Sequence, residues 1–169
     1  MNTARYDRLS RYLHWASAAV IIWASLTGFY LATLEPASNL RAWLSWFNVS
    51  LTTAFTPIFV ARIIHATRTR KPASLDVPRW QQRLAHLVHA LLYAMTSVVL
   101  ASGVLMMDHD ISLFGLITLP NAIADPDWNR YFHALHRQSC AALSLLVMLH
   151  VAAVFRHLRA GRPVLARMR

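Results

Sequence analysis

The sequence predicts an all-α fold, a four-helix transmembrane bundle with both termini cytoplasmic. Three observations lead there. Charged residues make up only 14% of the 169-residue chain, against about 25% in a soluble domain. The apolar residues gather into four runs free of Asp, Glu, Lys and Arg, at 12–34, 42–61, 84–107 and 138–155. Each is of the order of the ~20 residues that cross a bilayer as a helix. The basic residues, finally, collect at alternate run boundaries. Mean hydropathy is +0.36, which makes an ordinary soluble enzyme a poor description.

Long continuous runs predict helices, because a spanning segment must satisfy its own backbone groups. The spans are read as about 12–34, 42–66, 84–107 and 133–157, within a single membrane domain over 1–169. The first run is too long for a signal-peptide core and no small-residue cleavage pattern follows it. Pro57 lies inside the second and should kink it. The third and fourth are joined by an outer segment at 108–131, whose stretch FGLITLP (114–120) is apolar enough to lie at the membrane interface. Trp43, Trp46, Trp80 and Trp128 fall near span ends, where aromatic belts form. Ser17, Thr27, Gly28 and Gly103 are small span residues that allow close helix approach or leave room for a flat macrocycle.

The basic residues orient the bundle. Arg5, Arg8 and Arg11 precede the first span. Arg62, Arg68, Arg70, Lys71, Arg79 and Arg83 surround the connection between the second and third. Arg156, Arg159, Arg162, Arg167 and Arg169 follow the fourth. The opposite side has only Arg41, Arg130 and Arg137, with five of the seven acids. The positive-inside rule therefore places both termini in the cytoplasm. The net charge of +10 divides into +12 inside, where Asp7 and Asp76 offset fourteen basic residues, and −2 outside. Topology accounts for the basic balance, and no nucleic-acid partner is expected. The single cysteine, Cys140, excludes an intrachain disulfide, a cysteine-rich metal site and a CxxCH haem attachment.

Nine histidines in so apolar a chain point to chemistry, because ionisable groups within spans are costly. His136 and His150 lie fourteen residues apart on the fourth span. That is a rise of about 21 Å through nearly four full turns, so both rings face almost the same way at two depths. Two haems stacked across a four-helix bundle need such an arrangement, each iron taking a second histidine from another helix. His14, at the inner end of the first span, is well placed to partner His150. His86, His89 and His157 also lie at inner ends. For His65, His109 and His133 an interfacial role is expected.

The sequence resembles the bacterial cytochrome b561 family of di-haem, four-helix membrane proteins. The resemblance is carried by SRYLHW (10–15), LAHLVHALLY (84–93), SGVLMM (102–107), FGLITLP (114–120) and ALHRQSCAALSLLVMLHVAAVFRH (134–157). It implies haem b as cofactor, with His14 and His150 as axial ligands of an inner haem and His136 as one ligand of an outer haem. The other outer ligand belongs to a His-Val-Ser-type motif at the start of span two. Here that stretch reads WFNVS and the position is Asn48, a poor iron ligand. Three outcomes are open: the outer haem is lost, it is kept with His136 as its only strong ligand, or His133, His109 or Met107 substitutes. Axial ligation is a main lever on haem potential and access.

The resemblance further implies a multi-pass protein of the bacterial inner membrane, in contact with lipid, that carries single electrons between haem and a membrane quinone. Quinone would bind near the inner haem, beside His157, His86, His89, Arg83 and Arg156. If the chain is an enzyme, the expected reaction is an oxidoreduction of the superoxide:quinone or quinone-linked type, with superoxide as an outer-side donor. The acidic outer face argues against attracting an anion. Two other readings stay open. One is a haem-b anchor subunit for a dehydrogenase or hydrogenase, with a redox partner protein. The other is a non-redox membrane protein with degenerate haem sites.

Overall fold

The computed structural model describes residues 5–69, 78–162 and 164–168. Arg70, Lys71, Asp76 and Arg169, counted above in the charge balance, lie outside the described residues. Four helices carry the chain: α1 (Arg8–Leu31), α2 (Asn39–Arg68), α3 (Arg79–Leu105) and α4 (Pro126–Arg159). All four are long and apolar enough to cross a membrane, so the all-α four-helix architecture stands.

Helix starts follow capping chemistry. The Asp7 carboxylate accepts from Ser10 N at 3.1 Å and from Ser10 Oγ at 2.5 Å. Ser38 Oγ accepts from Arg41 N. Asp125 accepts from Asp127 N at 2.8 Å and Pro126 stands at the first helical position. Such caps satisfy amide donors that the first turn leaves orphaned. Asp125 and Pro126 thus start α4 well before its uncharged run. Helix α2 continues through Pro57.

Packing divides the bundle into two pairs. Helix α1 lies along α2, and α3 along α4; α2 and α3 meet over a shorter stretch, while α1 and α4 make at most a passing contact. The central seam is Phe55, Phe59 and Leu100, flanked by Val20, Ile63 and Tyr93. Ser17, Ser50 and Ser102 are the most enclosed side chains, at 0–1% exposure. Ser17 donates to Leu13 O and Ser102 to Val98 O, both at 2.6 Å, so these hydroxyls cost no unpaired polarity and their small size permits close approach. Leu26, Phe29, Leu145 and Met148 point outward and exposed, a burden in water but suited to lipid.

One end of the bundle holds a feature that the sequence did not suggest. Ile111–Leu113 (β1) pairs antiparallel with Ile117–Leu119 (β2). Phe114 and Gly115 sit at φ 51° and 74° while Leu116 N donates to Leu113 O at 2.9 Å, the signature of a type I′ turn. A left-handed conformation costs a non-glycine residue roughly 1–2 kcal/mol. Contacts with α2 offset it. Phe114 N donates to Ser50 Oγ at 3.2 Å, and Ser50 Oγ donates to Ser112 O at 3.0 Å. The Phe114 ring meets Trp46 and Phe47 edge-on. We call this the hairpin end. At the opposite, terminal end a 3-10 turn (Leu165–Arg167) returns the chain to α1. There Trp15 Nε1 donates to Met168 O at 2.9 Å, and Tyr6 N to Arg167 O at 3.1 Å.

Candidate functional site

At the terminal end each helix contributes one basic side chain to a common cluster: His14 from α1, Arg62 from α2, His89 from α3 and His150 from α4. Arg62 Nη2 donates to His14 Nδ1 at 3.1 Å. The same guanidinium lies over the Tyr93 ring, 5.1 Å from its centroid. The rings of His89 and His150 meet edge-on with centroids 5.3 Å apart. His14 is within electrostatic reach of Arg62, His150 and His89, so side chains from all four helices lie near one another. Trp15 stands edge-on to His14 at 5.6 Å.

At the hairpin end His136 is clasped by α3. Its Nδ1 lies 3.1 Å from Val99 O and 3.3 Å from Ser102 Oγ, and its Nε2 lies 3.4 Å from Cys140 Sγ. Gly103 makes room for the ring, since a Cβ there would stand 3.1 Å from His136 Cε1. Asn48 turns to α1, where its Oδ1 accepts from Thr27 Oγ1 at 3.1 Å. The hydrogen bonds of His136 and Asn48 therefore run to different helices.

The remaining candidates divide. His157 Nδ1 accepts from Arg162 Nη1 at 3.1 Å, and that guanidinium also donates to Gln81 Oε1 at 3.2 Å, latching the end of α4 to the start of α3. His86, Arg83 and Arg156 are exposed. His65 pairs with Asp7 at 2.9 Å, and His109 with Asp108 at 2.7 Å, a hydrogen bond that lowers the Asp108 carboxyl. Sequence reasoning counted Arg62 only as a topology marker. Its readable signal was a charge six residues inside the end of α2. Nothing in the sequence singled out Val99 O or Tyr93 as partners.

The sequence matches the family described as prokaryotic cytochrome b561 over residues 5–169. The chain belongs to that family. No curated protein matches it. As a prokaryotic cytochrome b561 it is a multi-pass membrane b-type cytochrome of electron transport, with haem b as its cofactor.

Its residues fit that group. Among the described residues no three or more His, Cys, Asp or Glu converge as a bare metal ion would need. The donors come singly or in facing pairs, as axial ligation of a macrocycle's iron requires. The His136 ring has the usual support of a ligand: Nδ1–H can donate to Val99 O, which leaves Nε2 as the electron-pair donor. His14 carries one added demand. Arg62 can only donate, so it keeps the His14 ring proton on Nε2. Ligation of a haem iron through Nε2 would require that proton to leave Nε2 and would free Arg62 from His14, with the Tyr93 ring still beside the guanidinium.

Proposed function

We propose that this cytochrome carries single electrons to a membrane quinone at its terminal end, which faces the cytoplasm in the bacterial inner membrane. His14 and His150 are the axial pair of a haem b at that end, and His136 serves a second site at the hairpin end. Haem b supplies reversible one-electron storage when bound. What supports the reading is the nearness of His14 and His150 on helices that hardly touch. A flat cofactor between the helix pairs would join them.

Reducing a quinone to a quinol takes two electrons and two protons. The terminal end offers imidazoles that could carry the protons. His157, His86 and His89 lie there with Arg83 and Arg156 to meet a polar head group. On the outer side two superoxide anions would each give up one electron and leave as oxygen, which balances the same quinone. Arg130 is paired with Asp127, and Asp108, Asp110 and Asp125 stand nearby in sequence, so that face offers an anion little attraction. Quinone-linked transfer is therefore the core of the proposal and superoxide a candidate donor.

The deciding measurement is haem per polypeptide with the reduced-minus-oxidised spectrum of the purified chain, followed by reduction of the haem on adding a quinol. A b-type band with quinol-dependent reduction is expected. A colourless protein would sink the redox reading. Activity that appears only with a co-purifying peripheral oxidoreductase would point to the anchor-subunit role.

A further inference from the structure

Arg62 stands out once the electron path is laid along the histidines. Helices α1, α2 and α3 contain no Asp or Glu, and the only acid in α4 is Asp127 in its first turn, at the hairpin end. Arg62 is half-buried on α2, and among the described residues it is ion-paired with no carboxylate, Asp7 being taken up by His65 one turn away. The groups that face it are His14 from α1, Tyr93 from α3 and His150 from α4. All are neutral or cationic. A charge held at this depth is costly and usually marks function.

We infer that Arg62 is a fixed positive charge that raises the electron affinity of the terminal-end haem site and makes that site the electron sink of the bundle. The inference rests on the reading of His14 and His150 as the axial ligands there. Reduction adds one electron and lowers the charge of the site by one. A nearby cation in a low-dielectric interior favours the reduced form. Two contacts hold the charge here, the bond to His14 Nδ1 and the Tyr93 ring face; with His14 ligating through Nε2 the Tyr93 face would remain, and a cation is attracted to such a face. At the hairpin end His136 is met by Val99 O, Ser102 Oγ and Cys140 Sγ, with His133 in electrostatic reach, and among the described residues no guanidinium bonds to it. The difference gives the bundle a direction, since an electron entering beside His136 is drawn toward Arg62. Arg62 acts here through the ligand pair and is a positioning residue for charge.

The test is a redox titration of the purified full chain, with dithionite as reductant and soluble mediators, followed optically. Arg62→Gln should retain haem and lose at least about tenfold in the equilibrium for reduction, a fall in midpoint of about 59 mV for a one-electron couple. Arg62→Lys, which keeps the charge, should stay within about threefold of the parent. Tyr93→Glu sets a carboxylate beside the intact guanidinium and should move the midpoint in the same direction as Arg62→Gln. An unmoved midpoint in Arg62→Gln overturns the inference. So does an Arg62→Lys shift as large as that of Arg62→Gln, because the contacts of the guanidinium, and not its charge, would then be the cause. If Arg62→Gln loses its haem, Tyr93→Glu decides, and an unmoved midpoint there overturns the inference. A His14→Ala variant that keeps all its haem fails in a different way: it removes the ligand reading itself, whatever Arg62 does.

Discussion

The two ends of the bundle are built from the same four helices and make opposite use of them. At the terminal end each helix delivers a basic side chain, and the cluster spans the gap between the helix pairs. At the hairpin end the hydrogen-bond partners of the candidate residues are uncharged. His136 is locked against α3, Asn48 against α1, and a hairpin pinned by Ser50 caps them. Helix α4 supplies a histidine to both, fourteen residues apart. The ring is the same in each place, and its neighbours decide what it can do. Charge and an open gap favour taking up an electron at one end. Fixed polarity and a clasped ring favour a single ligand at the other.

The sharpest way to break this comparison is to remove the histidines. His14→Ala and His150→Ala should each abolish the terminal-end haem, read as lost pyridine haemochrome and lost b-type absorbance. His136→Ala should leave that haem in place and remove only what the hairpin end binds. Full haem content in both His14→Ala and His150→Ala would collapse the ligand assignment. Full content and spectrum in His136→Ala would leave the hairpin end with no haem of its own.

Asn48→His tests the hairpin end from the other side. Restoring an imidazole opposite His136 should add a second low-spin haem component to the spectrum. An unchanged spectrum would mean that the backbone placement of position 48, and not the residue type, keeps it out of play. Gly103→Ala should act in the opposite sense. Its Cβ would meet His136 Cε1 at 3.1 Å, and overpacking of this kind costs about 1–3 kcal/mol. The ring should rotate off Val99 O and the hairpin-end component should be lost or broadened. An unaltered spectrum and melting point would show that the ring yields freely.

Much of the architecture was legible in the sequence because bilayer crossing imposes length and charge rules. The four uncharged runs became four helices, and the family resemblance carried by 10–15, 84–93 and 134–157 agrees with the match over 5–169. The hairpin was not legible. Its strands are three residues each, too short for a period-two pattern, and Phe114 at positive φ breaks the usual preference for glycine there. Only its fit against Ser50, Trp46 and Phe47 makes that conformation tenable, and such long-range contacts leave no local signal. The early start of α4 was within reach, since Asp125-Pro126 is a capping sequence. The site was half legible. Spacing picked out His136 and His150, whereas the role of Arg62 depends on a helix pairing that spacing cannot supply.

Ser50→Ala should loosen the hairpin end without touching the terminal one. It removes the acceptor for Phe114 N and the donor to Ser112 O in one step. Leaving a buried backbone group unpaired costs about 1–3 kcal/mol. Faster amide exchange is expected at residues 111–119 with unchanged exchange around His14. Uniform loss of protection at both ends would mean that the ends fold as one unit and that their contrast is only chemical.

The smallest effect concerns the outermost contact of the terminal end. Asp7 caps α1 and pairs with His65 on α2. The Ser10 hydroxyl, the Ser10 amide and the His65 ring together hold its carboxyl at about 2, against an ordinary 3.8. A carboxyl lowered by folding adds stability that is present above its unfolded value, near pH 4, and is lost as pH falls through about 2. Because the group is open to solvent, its worth is that of a helix cap, about 0.5–2 kcal/mol. Asp7→Ala should therefore fray only the first turn of α1, read as amide exchange near Ser10 and Arg11, with the haem spectrum unmoved. In the parent chain the same amides should stay protected at pH 4 and lose protection toward pH 2. A loss centred near pH 4 would show an ordinary carboxyl with no fixed partners. A haem spectrum that follows the Asp7 titration would tie the rim of the terminal end to its ligand pair, and the two ends would then differ in coupling as well as in charge.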